Sequence, residues 1–370
     1  MGKPKICFFN SNREWGGGEK WHYDYSEALN AEGYETVVMA QKDSEIARKV
    51  AKSGNQRLIP VKISNLSFLN PRKVHSLKKT FLDEGFDTII MNLPADLKSA
   101  GLAAKKAGIR HRIYRRGSAI PIKNTFINRY LFREVVTRVI VNSKKTCETI
   151  LENNTKLINR NKIHIIYNGI DLNKFDRHTK KLYEPKDDEV VIGNLGRLSE
   201  QKCQNLLIKV AANLRQNGLK FKLLIGGKGE KEPELKKLVE DHQLHDYIKF
   251  MGFIENSREF MNSIDIFVLT SKWEGFGYVL VEAAAASLPV VAFNISSNPE
   301  VVINNQTGEL VTPFNLEEMT EEIELLSKDR LKRLAMGKAG RSMVETKFQF
   351  KSSLDKLKIL LAENNDDSSN

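Results

Sequence analysis

A chain of 370 residues is too long for one ordinary hydrophobic core and fits two domains of comparable size. With 41% hydrophobic and 28% charged residues it has a globular composition, and no run reaches the ~18 consecutive apolar residues that a spanning helix needs. The net charge of +12 belongs wholly to the first half, where residues 1–180 hold 33 Lys+Arg against 17 Asp+Glu, while the rest holds 25 against 29. Residues 101–150 alone carry 12 basic and 2 acidic side chains, a field that suits an anionic surface or substrate as well as a merely solubilising one.

The apolar run Ile6–Phe9 is far shorter than a signal-peptide core. The cysteines, Cys7, Cys147 and Cys203, are odd in number and widely spaced, which argues against a disulfide framework or a structural zinc site. A cytoplasmic location is therefore expected.

In chain order, short runs rich in β-branched residues predict strands buried on both faces at 5–10, 35–40, 57–63, 87–92, 111–115, 138–143 and 162–169. Helical patterns lie between them, such as Lys20–Ala31 and Pro71–Glu84, the latter with Asn70 as N-cap and Pro71 at the first helical position. The second half repeats the pattern, with strands at 190–196, 221–227, 248–253, 265–271, 289–294 and 308–311. Strand-then-helix alternation in both halves predicts an α/β protein of two doubly wound, parallel-sheet Rossmann-like domains. The boundaries expected are a first domain over 1–170, a polar linker over 171–188, a second domain over 189–346 and a solvated tail over 363–370.

The strongest local signal is TSKWEGFGYVLVEAAAA at 270–286. A strand ends there, a Gly-Phe-Gly turn follows, and a helix begins near Tyr278. Glycines at a strand's carboxyl end let backbone N–H groups approach an anion at a helix start. Glu274 on the turn and Glu282 about one turn into the helix suit the hydroxyls of a sugar and a ribose. Either glutamate alone is more simply a helix-capping acid; the whole segment is not. A second signal is GNLGRLSEQK, where Arg197 and Lys202 follow a strand and a glycine and can clamp a diphosphate. The alternative is surface ion pairing worth ~0–1 kcal/mol. A third is Trp15-Gly16-Gly17-Gly18-Glu19 after the first strand, a modest phosphate-approach turn without a full dinucleotide fingerprint.

Together these residues resemble family 4 of the retaining glycosyltransferases, which have the GT-B fold of two Rossmann-like domains facing across a cleft. The resemblance spans nearly the whole chain. It rests on E-G-F-G-x-x-x-x-E-A-x-A from Glu274 to Glu282, G-R-L-x-x-Q-K at 196–202, Gly-Gly-x-Glu at 16–19, and Asn168-Gly169-Ile170-Asp171 with Phe175. It implies that Arg197 and Lys202 bind the donor diphosphate, that Glu282 holds the ribose, and that Glu274 holds hydroxyls of the transferred sugar. The Gly275–Phe276–Gly277 turn and the Gly16–Gly17 turn would contact phosphate, and Phe253–Ile254 would lie beside the base. It implies a UDP- or GDP-linked sugar donor, no protein nucleophile and no cofactor. It also implies a C-terminal helix over about 347–362 that packs back on the first domain. The chain has no Asp-x-Asp pair for a metal, so metal independence is expected.

One stretch departs from the family. Members often carry a cleft histidine after the strand equivalent to 111–115, whereas here His111 starts the strand and Arg115 or Arg116 ends it. His111 is expected to be structural, and the two arginines are candidates on the acceptor side, suited to an anionic group. The stretch Lys123–Arg138 interleaves basic and aromatic residues. It fits either an anionic leaflet on the inner face of the plasma membrane or, more simply, a helix with Phe126, Tyr130 and Val135 facing the core. No nucleic-acid motif is present. The expected function is sugar transfer to a glycan or lipid-linked acceptor, in lipopolysaccharide or cell-surface polysaccharide synthesis. The rivals are a nucleotide-sugar 2-epimerase-like isomerase and a non-catalytic partner subunit.

Overall fold

A computed structural model of the chain describes residues 3–186 and 188–363. The tail expected over 363–370 lies, from residue 364 onward, outside the described residues. The chain divides into two compact units: residues up to Asn168 together with those from Ser352 on, and Gly169–Lys351.

The first unit is built on a parallel sheet of β1 (Ile6–Asn10), β2 (Thr36–Gln41), β3 (Arg57–Val61), β4 (Thr88–Met91), β5 (His111–Arg116), β6 (Arg138–Val141) and β7 (Ile163–Ile165). Their spatial order is β3-β2-β1-β4-β5-β6-β7. The central strands are buried along their whole length, as the β-branched runs require. The order reverses between β1 and β4, where Ile6 pairs with Thr36 on one side and Thr88 on the other. In an open α/β sheet that reversal marks where ligands bind, beyond the carboxyl ends of the strands.

The second unit repeats the plan. Its strands are β8 (Val190–Leu195), β9 (Phe221–Gly226), β10 (Ile248–Gly252), β11 (Ile266–Leu269), β12 (Val290–Phe293) and β13 (Gly308–Val311). The order β10-β9-β8-β11-β12-β13 reverses between β8 and β11. One core cluster joins Ile192, Leu223, Val268 and Val291 of these strands to Leu207, Ile208 and Ile323 of the helices above them.

Local signals explain several helix limits. Helix Pro71–Glu84 starts where the Asn70 side chain accepts from the N–H groups of Arg72 and Lys73, and it ends at Gly85 in the left-handed conformation. Residues 171–188 are not uniformly irregular. They include a helical turn, Leu172–Phe175, after which Asp176 takes a two-bond ion pair from Arg341 at 3.0 and 2.8 Å. The C-terminal helix is Phe350–Ala362, separate from the helix Arg330–Lys347 before it. Within the first unit, the Arg138 guanidinium donates to the carbonyls of Leu360 and Glu363 near its end.

The core face expected for Lys123–Arg138 holds for Val135 and is corrected for Phe126 and Tyr130. Phe126 is 76% and Tyr130 40% exposed, while Leu131, Phe132 and Val135 are buried. The helix Phe126–Tyr130 passes directly into a π-helical turn, Leu131–Val135, so the periodicity of an α-helix does not carry through the segment.

Candidate active site

In the second unit, the loops after β8 and β11 flank the reversal point of the sheet and are tied together by a ladder of bonds. The N–H of Lys272 donates to the Gln201 carbonyl at 2.8 Å, and the Gln201 amide donates to the Trp273 carbonyl at 2.9 Å. The Thr270 hydroxyl lies 3.1 Å from the carbonyls of both Lys202 and Cys203. The ladder ends in an ion pair, with Lys202 Nζ 2.5 Å from Glu274 Oε1. The Ser271 hydroxyl donates to the same oxygen at 2.6 Å, and Ser297 donates to the Glu274 carbonyl at 3.1 Å. Glu274 is thus fixed by side chain and backbone alike.

The turn that carries Glu274 leads into the helix Tyr278–Ala285. Gly277 caps it at φ 74°, a left-handed conformation in which a Cβ would also meet Leu280 Cδ1 at 2.9 Å. Phe276 is buried, its ring edge-on to Phe348 at 5.5 Å, and Gly275 is buried beside it. Side-chain packing of Phe276 therefore pins the turn, and the Gly277 carbonyl takes the Leu280 N–H at 2.8 Å as the helix begins. Glu282, on the same helix, accepts from the Ser257 hydroxyl at 2.9 Å.

Arg197 follows Gly196 on the loop after β8 and is exposed. Lys202 lies across Gly196, where a Cβ would sit 3.3 Å from its Cε. Phe253 and Ile254 follow β10 and line a depression of about 570 Å³ with Met251, Glu255 and Asn256. Ser257, which holds Glu282, comes next in the chain.

Several residues that shape this edge escaped the sequence reading. Gly227 and Gly229 press on the Arg197 loop, since a Cβ on Gly227 would lie 1.9 Å from the Gly196 carbonyl oxygen and one on Gly229 2.1 Å from that of Leu198. Their signal was available as GGKG at the end of a strand. Gln201 and Ser271 lie inside the two motifs without a role assigned to them, and Ser257, distant in sequence from Glu282, left no local pattern.

In the first unit, Gly16–Gly18 open the helix Gly17–Ala31 just past β1. Glu19 is buried and accepts from the Asn10 amide at 3.2 Å and the Asn92 amide at 3.0 Å. Arg115, only 3% exposed, donates to Asn92 Oδ1 at 3.4 Å and Asn168 Oδ1 at 3.3 Å. Arg116 donates to the Ile120 carbonyl. The two candidate acceptor arginines are thus both engaged by the protein itself. Burial lowers the Arg115 guanidinium to about 10, with the Glu19 carboxylate foremost in opposing that shift. His111 begins β5 and is buried.

Two adjoining family profiles match this chain and together cover residues 15–343. One, for glycosyl transferases group 1, covers residues 175–343, and the other, for Glycosyltransferase Family 4, covers residues 15–174. The chain belongs to glycosyltransferase family 4. It is 30% identical over 223 residues to the capsular polysaccharide biosynthesis glycosyltransferase CapM of Staphylococcus aureus, across 57% of this chain and 58% of that one. It is 28% identical over 297 residues to the N-acetylgalactosamine-N,N'-diacetylbacillosaminyl-diphospho-undecaprenol 4-alpha-N-acetylgalactosaminyltransferase of Campylobacter jejuni, across 77% of this chain and 79% of that one. The chain spans about half the length of most curated relatives it matches. Among solved structures it resembles a glycosyltransferase from Rickettsia africae, with a TM-score of 0.87, 20% identity and 100% of both chains covered. It also resembles Alr3699/HepE of Anabaena in complex with UDP-glucose, with a TM-score of 0.82 and 22% identity over 97% of this chain and 99% of that one. At such identities the likeness shows the fold, which is that of the GT-B glycosyltransferases.

Proposed function

We propose that this family 4 member is a retaining, metal-independent glycosyltransferase. It moves a sugar from a UDP- or GDP-linked donor to a glycan or lipid-linked acceptor in lipopolysaccharide or cell-surface polysaccharide synthesis. The observation that carries the reading is the Lys202–Glu274 pair at the reversal point of the second sheet, beside a helix start and Glu282. Arg197 and Lys202 take the diphosphate, Glu274 hydroxyls of the sugar, and Glu282 the ribose. The Gly275–Gly277 turn offers its N–H groups to phosphate, and Phe253 and Ile254 flank the base. The turn at Gly16 and Gly17 is a second anion-receptive element, on the first unit.

The acceptor oxygen attacks the anomeric carbon from the face that the diphosphate leaves. The bond from that carbon to the phosphate oxygen breaks with its electrons, the bond to the acceptor oxygen forms, and a departing phosphate oxygen receives the acceptor proton. Lys202 and Arg197 stabilise the developing charge. An epimerase would return a rearranged nucleotide sugar and a non-catalytic subunit nothing. Relatives named for capsule, amylovoran and O-antigen synthesis support the transferase reading.

A thermal-shift panel of UDP, GDP and their sugars tests the donor site, because a ligand that binds the folded state raises stability by mass action. One nucleotide family should raise the transition; no shift with any of them would sink the reading.

The membrane part of the reading rests on the exposed Phe126, Ile127 and Tyr130, with Lys105 Nζ 5.1 Å from the Tyr130 ring centre and no described helix long and apolar enough to span a bilayer. This arrangement suits peripheral attachment to an anionic leaflet on the cytoplasmic side. Failure to float with phosphatidylglycerol vesicles at low salt would discard that part alone.

A further inference from the structure

Arg115 and Arg116 were candidates for touching the acceptor, yet the Arg115 side chain turns inward. It lies under the strand ends that flank the reversal point of the first sheet. Its guanidinium faces the Trp21 ring at 5.4 Å and reaches Asn92, just past β4, and Asn168. Asn92 passes the contact on, because its amide donates to Glu19, which also takes the Asn10 amide from the end of β1. Glu19 is the third residue of the helix that Gly17 opens. A buried cation and a buried carboxylate are therefore joined by an asparagine, across three elements.

The glycines around them follow from this packing. A Cβ on Gly18 would sit 2.7 Å from Asn92 Nδ2, one on Gly16 3.1 Å from Glu19 Oε2, and one on Gly117 2.5 Å from Arg115 Nη1. A Cβ on Gly17 would meet nothing within 4 Å. Gly16, Gly18 and Gly117 are small because the polar chain needs the room, and Gly17 alone looks onto open space. The helix has no side-chain N-cap, and at Gly16 its first turn is held by the backbone carbonyl, which takes the Lys20 N–H at 2.9 Å.

We propose that Arg115 is a positioning residue: acting through Asn92 and Glu19, it holds the Gly16–Gly18 turn in the conformation that presents the Gly17 edge to an anionic part of the donor. The structural half of this stands on the contacts above, while the donor half rests on the proposed transferase reading. Arg115 supplies the positive charge that makes a buried Glu19 tolerable, and Asn92 converts that charge into a fixed orientation. Removing one partner of a buried pair costs far more than replacing both by neutral groups.

The experiment uses the full chain as wild type, Arg115→Gln, Glu19→Gln and the double variant, with two readouts. The first is hydrogen exchange of the peptide spanning Gly16–Lys20. It should exchange at least tenfold faster in Arg115→Gln, and the double variant should recover most of the protection because no charge is left unpaired. The second is hydrolysis of the preferred nucleotide sugar. Arg115→Gln should raise KM for the donor about tenfold and change kcat less than threefold, and the double variant should restore most of KM. If Arg115→Gln does not fold, a folded double variant supports the charge pairing and an unfolded one overturns it. Unchanged exchange at Gly16–Lys20 in Arg115→Gln, or a double variant as impaired as the sum of the singles, would overturn the positioning role. If wild type hydrolyses no nucleotide sugar, the transferase reading fails while the exchange result still decides the coupling.

Discussion

Lys202 Nζ and Ser271 Oγ converge on a single oxygen of Glu274, at 2.5 and 2.6 Å. Among the described residues no side chain or N–H is bonded to Oε2, the oxygen that the proposed reading assigns to a sugar hydroxyl. In the proposed donor site the pair has opposing consequences: Glu274 orients Lys202 and would also compete with a diphosphate for it.

Glu274→Gln should separate those two effects. Binding of UDP or GDP alone is expected to hold or tighten, because the competing carboxylate is gone, while donor turnover falls about a hundredfold as the sugar contact weakens. Calorimetry of the nucleotide beside steady-state hydrolysis gives the comparison. A parallel loss of both would mean that Glu274 serves chiefly to fold the loop.

The Ser257–Glu282 bond carries a smaller prediction. A hydrogen bond to a charged group contributes about 1.5 kcal/mol net, so Ser257→Ala should raise KM for the donor roughly tenfold. Turnover at saturation should stay near wild type, since a ribose contact is made equally in ground and transition states. A fall in kcat with unchanged KM would place Glu282 in the chemistry instead.

Two glycines should respond in opposite ways. At Gly227, φ is 134° and a Cβ would strike the Gly196 carbonyl oxygen at 1.9 Å. Gly227→Ala is expected to cost about 1–3 kcal/mol of stability by overpacking, and to weaken nucleotide binding through the Arg197 loop. Gly17→Ala meets nothing within 4 Å and should leave the melting temperature unchanged while weakening the donor. Equal melting temperatures for both variants would contradict the packing described for Gly227.

These examples also show where the sequence was legible. The thirteen strands of the described residues lie where short apolar runs placed them; central strands covered on both faces leave that mark most fully, the edge strands β3, β7 and β10 less so. Asn70-Pro71 marked the start of one helix for an equally local reason, while its stop at the left-handed Gly85 comes from the structure. The segment 123–138 misled because its π-helical turn shifts the helical phase, so that Leu131 and Phe132 take the buried positions assigned to Phe126 and Tyr130. The motif residues of the second unit could be named, but the coupling of Glu282 to Ser257 and of the Arg197 loop to Gly227 depends on chain segments tens of residues away. The sequence shows the charge of Arg115; only the three-dimensional structure shows that it is directed to Asn92 and Asn168.

Asp96 carries the pH prediction. Its buried carboxyl accepts from the N–H groups of Ser11 and Leu93, yet burial dominates and raises it from 3.8 to about 7. A group whose folded pKa is raised keeps more protons in the native state, so its stabilising contribution is full below about 4 and is lost as pH rises through about 7. The stability of wild type relative to Asp96→Asn should therefore decline from pH 4 to above pH 7 and then level off. Taking the difference cancels groups common to both proteins, including His22, whose burial pushes it the other way. Urea denaturation across that range, with a flat difference, would refute the assignment.

The central claim is that Lys202 acts on the diphosphate of a nucleotide sugar. Its most direct test is the release of UDP or GDP from the preferred nucleotide sugar, with wild type and Lys202→Ala compared at matched folded fraction by circular dichroism. The expected result is slow, steady nucleotide release by wild type and a loss of about 10²–10³-fold in turnover for the variant. Undiminished release by a folded Lys202→Ala protein would contradict the account.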